Sequence, residues 1–167
     1  MREERENYVT ENIQLEGAKL IFLNFSGAEQ QNNGRIMNQA GDRNFGIILP
    51  EELAQKLEKD GWKVKRLNPQ ADDPEQYRTP WLKVKVKFNK FPPIINLITS
   101  RGRTRLDETT CGTIDYARIK HVDVIVSPYN YPATNLGPAG VAAYLKAIYV
   151  TIEEDNFAAK YADIPEC

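Results

Sequence analysis

The stretch WLKVKVKF, residues 81–88, decides how the chain is read. Its parity is strict: Leu82, Val84, Val86 and Phe88 fall on one side, and Trp81, Lys83, Lys85 and Lys87 on the other. Successive side chains of a β-strand point to opposite faces, so this period of two predicts a strand with an apolar core face and an outer face of three lysines and an indole. At about 3.3 Å per residue, alternate lysines stand about 7 Å apart, roughly the spacing of phosphates along a single strand. Trp81, at the end of the row, is suited to stack a nucleobase.

Working outward, residues 81–106 hold seven basic residues (Lys83, Lys85, Lys87, Lys90, Arg101, Arg103 and Arg105) and no Asp or Glu. Across the whole chain 22 Lys and Arg nearly cancel 23 Asp and Glu, so the segregation is local and the molecule is no polycation. Residues 94–100 (IINLITS) form the next predicted strand. An antiparallel pairing with 81–88 would bring the Arg101-Gly102-Arg103-Thr104-Arg105 turn to the margin of the lysine face. Arginine grips phosphate bidentately or stacks on a base, and Gly102 lets a backbone approach closely. Tyr129 and Tyr131 flank Asn130 in a predicted loop, either closing over a bound strand or packing on the loop prolines. Lys63 and Lys65 either extend the basic face or form a solvated one. The lysine row has its own plain alternative, since edge strands carry lysines against aggregation.

Elsewhere, residues 18–25 (AKLIFLNF) are apolar on both parities, which predicts a strand buried on both faces and central to its sheet. Residues 26–42, rich in Gly, Asn and Gln, read as a long surface loop, and 43–49 as a strand. A helix over 50–60 opens on Pro50 with Glu51 and Glu52 in its first turn, sets Leu53 and Leu57 on one face and stops at Gly61. Further strands are predicted at 62–67, 121–127 and 141–152, a loop at 68–79 and short helices at 108–116 and 155–161. About seven strands at this spacing, with two or three short helices, make a mainly β chain built as a small barrel or sandwich. Residues 1–12 read as a flexible N-terminal arm and 13–167 as a single domain.

The only cysteines, Cys111 and Cys167, give neither a disulfide framework nor a zinc spacing. His121, the sole histidine, opens an apolar strand with no evident catalytic partner. Asp107, Glu108, Asp115 and Asp123 have no spacing specific to a metal, so the reading contains no catalytic residue, metal or cofactor, and a metal-dependent nuclease is the weakest of the alternatives. The N-terminus lacks the apolar run of a signal peptide and no stretch is long enough to span a membrane, so a cytoplasmic protein is expected.

Taken in order, RNFGIILPEELAQKLEKDGWKVK, LITSRGRTRLDE, HVDVIVSPYNY and GPAGVAAYLKAIYVTI resemble phage-encoded single-stranded-DNA-binding proteins with an OB-type barrel, over roughly residues 13–161. The resemblance implies an OB-like nucleic-acid-binding domain, single-stranded DNA as partner and a role in replication or recombination without a cofactor. It places Trp81, Lys83, Lys85 and the turn at 100–105 on the binding side. Many such proteins end in a long acidic tail that recruits partner enzymes; here the chain ends in YADIPEC, and Glu153, Glu154 and Asp155 precede the last predicted helix. RNA as an alternative ligand, a homo-oligomer, and replication or recombination proteins as partners all stay open. The rival reading is a structural or host-interaction protein that offers the basic face to an acidic protein.

Overall fold

Two long strands form the spine of the fold, and alternation, broken once by a bulge at Lys146 of β11, explains both. β10 (Ile119–Tyr131) turns Val122, Val124 and Val126 inward, and β11 (Gly140–Ile152) does the same with Val141, Ala143, Leu145, Ile148 and Val150. They pair antiparallel from Ile119↔Ile152 to Tyr131↔Gly140, with a register shift between Ile125 and Val126. The structure, a computed structural model, describes residues 8–67, 78–89 and 91–153.

Before the spine come β1 (Ile13–Leu15), β2 (Leu20–Asn24), β3 (Gln30–Asn32), β4 (Arg35–Asn38), β5 (Arg43–Ile48), helix α1 (Glu51–Asp60), β6 (Val64–Arg66), β7 (Pro80–Val86), β8 (Ile94–Thr99), β9 (Gly102–Leu106) and a 3₁₀ helix, Cys111–Tyr116. All but β3 and β4 join one mixed sheet along the path β1-β10-β11-β7-β5-β2, with β6 on β7 and β9 on β8. The sheet curls around a core that includes Phe25 stacked on Phe45, with centroids 4.9 Å apart, together with Ile47, Leu82, Val84, Ile95 and Ile114. The ladder does not close between β1 and β2, but the residues joining them cross the seam. Ala18 donates its N–H to Val122 O of β10, and Lys19 O accepts the N–H of Ile48 of β5. The fold is mainly β and OB-like, with two helical segments among the described residues; the predicted helix at 155–161 and most of the predicted loop at 68–79 lie outside them.

Helix α1 forms where it was expected, with Pro50 before its first residue, acids in the first turn and Gly61 left-handed at φ 99° as its stop. Four other expectations are corrected. Residues 18–25 yield not a central strand but β2 at the edge of the sheet, half-buried and bulged. The supposed loop 26–42 contains the β3–β4 hairpin, turned at Asn33 (φ 53°) and Gly34 (φ 79°), the Asn-Gly pair that two-residue hairpins favour. β8 pairs with β9 and β11 and not with β7, because β7 and β8 run parallel to different stretches of β11, at 143–144 and 147–151. Tyr129 and Tyr131 are strand residues of β10. Eleven strands are seen among the described residues where about seven were counted.

One carboxylate ties the 3₁₀ helix to β2. Asp115 accepts the N–H groups of Phe25 at 2.7 Å and Ser26 at 3.0 Å, and Phe25 is fully buried. Asp115→Ala strands the N–H of buried Phe25, while water can reach that of exposed Ser26, and should cost about 1–3 kcal/mol. Urea unfolding will show the loss, and Asp115→Asn, which keeps one acceptor, should recover part of it.

Candidate nucleic-acid interface

The outer face of β7 is where the lysines stand, and its ladder partners decide what surrounds them. Lys85 lies between Asn44 of β5 and Tyr144 of β11, Lys83 opposite Gly46, and Trp81 between Ile48 of β5 and Lys65 of β6. Cross-strand partners share a face, so β6, β7, β10 and β11 pool their outward side chains. The result is a cleft of about 350 Å³ lined by Lys63, Lys65, Lys83 and Lys85 on one side and by Tyr129, Tyr131 and Tyr144 on the other, with Ala142 and Ala143 between. Among the described residues no carboxylate lines it.

Two of the aromatics lie over a glycine. Trp81 lies over Gly46, and Tyr131 over Gly140, where an added methyl would collide with the phenol. Tyr129 stacks on Tyr144 from the adjoining strand, centroids 5.3 Å apart and planes 17° from parallel. Burial raises the Tyr144 phenol above its ordinary pKa, and the Tyr129 phenol adds to the effect. On the lysine side, burial depresses the ammonium of Lys65, and Lys83, Lys63 and Lys85 repel its charge further. Lys85 is likewise lowered by burial first, then by Lys83, Lys87 and Lys63, against a smaller opposing pull from Asp42. The cleft is therefore a crowd of like charges, partly withdrawn from water, that an anion would relieve.

The remaining expected residues fall elsewhere. Lys87 lies beyond the last paired residue of β7 and forms an ion pair with Asp42 at 3.7 Å. The arginines do not border the lysines. Arg103 and Arg105 occupy the outer face of β9 opposite Ile98 and Asn96, which in turn face Thr151 and Tyr149 of β11. Five to seven residues of β11 separate those positions from Tyr144, roughly 17–23 Å. Arg101 sits in the turn between β8 and β9, and Lys90 lies outside the described residues.

Trp81 is already engaged on several sides. Lys65 Nζ stands over its ring at 5.4 Å and Phe22 meets it edge-on at 5.1 Å. Tyr144 and Phe22 escaped the sequence reading. Period-two parity within 141–152 would have put Tyr144 outward, whereas no local pattern marks Phe22. The carboxylates considered for a metal serve local structure: Asp107 caps Thr109 and Thr110, Asp115 holds β2, and Asp123 accepts from Gly17 and pairs with His121. A larger cavity, about 800 Å³ between residues 8–13 and α1, is lined by both signs of charge and no lysine row. No helix among the described residues is long and apolar enough to cross a membrane.

A small OB-like barrel bearing a cationic, tyrosine-walled cleft on its outer face defines a module that binds single-stranded nucleic acid. The chain belongs to the phage ssDNA-binding domain family, whose model matches residues 3–167. Membership supports the single-stranded DNA reading, and nothing in it favours the rival of an acidic protein partner. Among solved structures, the single-stranded DNA-binding protein from bacteriophage Enc34 in complex with ssDNA is 10% identical, with 87% of this chain and 89% of that one covered and a TM-score of 0.51, a likeness of fold. The gp2.5 single-stranded DNA binding protein encoded by bacteriophage T7 is 10% identical over 95% and 96% of the two chains, at a TM-score of 0.42. No curated protein matches the chain.

The glycine under Trp81 is open to test. A methyl at position 46 would stand 2.7 Å from Trp81 Cε3 and 2.9 Å from Ile21 Cγ1. Gly46→Ala should therefore displace the indole at a cost of about 1–3 kcal/mol. The shift will appear in tryptophan emission, with buried Trp62 as a constant background. Unchanged emission and an unchanged melting temperature would remove Gly46 from the account of how Trp81 is seated.

Proposed function

We propose that the chain binds single-stranded DNA without sequence preference in its lysine and tyrosine cleft, as a non-enzymatic accessory of phage replication or recombination in the host cytoplasm. The observation that carries this reading is the convergence of four lysines and three tyrosines, from β7, β10, β11 and the β6 segment, on one outward cleft with no carboxylate among the described residues that line it. Phosphates seat on Lys63, Lys65, Lys83 and Lys85, and bases lie against Tyr129, Tyr131 and Tyr144. Trp81 lies under Lys65 next to the cleft, while Lys87 and the β8–β9 arginines continue the track past it. Stacking on aromatic faces accepts any base, which supports indifference to sequence.

With about four to six phosphates engaged, log K for an oligothymidine should fall with log salt at a slope of roughly −3 to −4. The double change Lys83→Glu and Lys85→Glu should weaken binding at least tenfold and flatten that slope by about 1.4, at roughly 0.7 per lost phosphate contact. Fluorescence anisotropy at two salt concentrations measures both, and an unaltered slope means that the phosphates run elsewhere.

The depressed lysines add a dependence on pH. Lys65 and Lys85 lose protons below the usual lysine range in the free protein, and a phosphate beside them raises their pKa again. The complex then holds more protons than its free components, so affinity declines as pH rises through that window. Replacing both by arginine, which keeps its charge, should retain binding and level the pH profile. A parent protein whose affinity is flat until lysines normally titrate would show that these two touch no phosphate.

A further inference from the structure

Phe22 is held in a backbone conformation that its side chain resists. Its φ is 52°, in the left-handed region that glycine adopts freely and bulky residues avoid. The cause is a β-bulge: Ile21 is opposite Gly46 and Asn24 opposite Asn44, so three steps along β2 span two along β5. Without the extra residue, Phe22 would follow outward-facing Ile21 into the core. The bulge turns it out instead, 59% exposed, with its ring 5.1 Å from Trp81 and 65° from its plane.

Strain that persists at an exposed aromatic calls for a compensating use. Trp81 is partly covered by Lys65 Nζ and Gly46, whereas Phe22 presents most of its surface to water. Lys65 connects the two places, since it lines the cleft and also stands over the indole. We propose that Phe22, braced by Trp81, is a stacking subsite for one unpaired nucleobase at the end of the lysine cleft. This rests on the reading of the cleft given above. Lys65 supplies the adjacent phosphate contact, and the flat apolar ring accepts purine or pyrimidine alike.

The test uses Phe22→Gly, because glycine relieves the strain while removing the ring. Its thermal stability should equal or exceed that of the parent, and its affinity for an oligothymidine should fall about tenfold. The salt slope should stay the same, since no cation is lost. Phe22→Tyr should restore affinity. An oligomer bearing an abasic residue at each position in turn gives a second readout: the parent should lose affinity at one register, and Phe22→Gly should be indifferent there.

The Lys83→Glu, Lys85→Glu protein is run alongside. If that variant weakens while Phe22→Gly binds as the parent does, the subsite is overturned and the cleft stands. If neither weakens, the cleft is wrong and the subsite with it. An affinity loss that Phe22→Tyr fails to restore also overturns stacking.

Discussion

The arrangement depends on β11 alternating from Val141 to Leu145 beside β7, before a bulge at Lys146 shifts its parity in the stretch that serves β8 on the same edge. Its inward residues close the core against β10, and the same parity turns Ala142 and Tyr144 outward beside β7. A one-residue slip would exchange the two sets, burying a phenol and exposing valines, so the core's demand for apolar side chains also aims the cleft. Small residues in the first half of β11 keep the floor low, and the aromatics stand as walls.

Electrostatics sets a second condition. Four ammonium groups share one cleft, and burial together with mutual repulsion already depresses two of them. The free protein carries this cost where it is least harmful, on an outer face and away from the hydrophobic interior. Lys87 shows the contrast: three residues C-terminal to buried Val84, it lies past the paired part of β7 and has Asp42 for company. The same row of lysines thus divides into members in the cleft and one paired with an acidic neighbour, a division set by tertiary packing and invisible in the order WLKVKVKF.

What could be read in advance follows from how local each cause is. The β7 alternation and the ends of α1 are fixed by residues within a few positions of each other, and both elements form as expected. The partner of β8 was misjudged because nearest-in-sequence pairing competes with a parallel lane on β11, some fifty residues away, which only the assembled sheet reveals. Pro128 and Pro132 made 127–140 look like a loop throughout, yet the β1 pairing ends at Val126, and beyond it β10 has room for a residue without an N–H. Phe22 was illegible for another reason: a bulge reverses parity, and parity was the instrument of the reading. The hairpin at Asn33-Gly34 was legible, since that dipeptide is a local signal, but the polar composition around it masked the strands.

β7 and β8 occupy successive stretches of one edge of β11, with residues 87–93 passing between them. The β8–β9 hairpin is consequently bonded to the rest of the sheet along a single border, while β7 is gripped by β5, β6 and β11. A unit joined along one border opens at lower free energy than one clasped on several sides. The arginine hairpin can therefore exchange its amide hydrogens and change its inclination while the lysine cleft stays assembled. The sheet thus joins a firmly clasped cleft to a hairpin that is free to tilt against it.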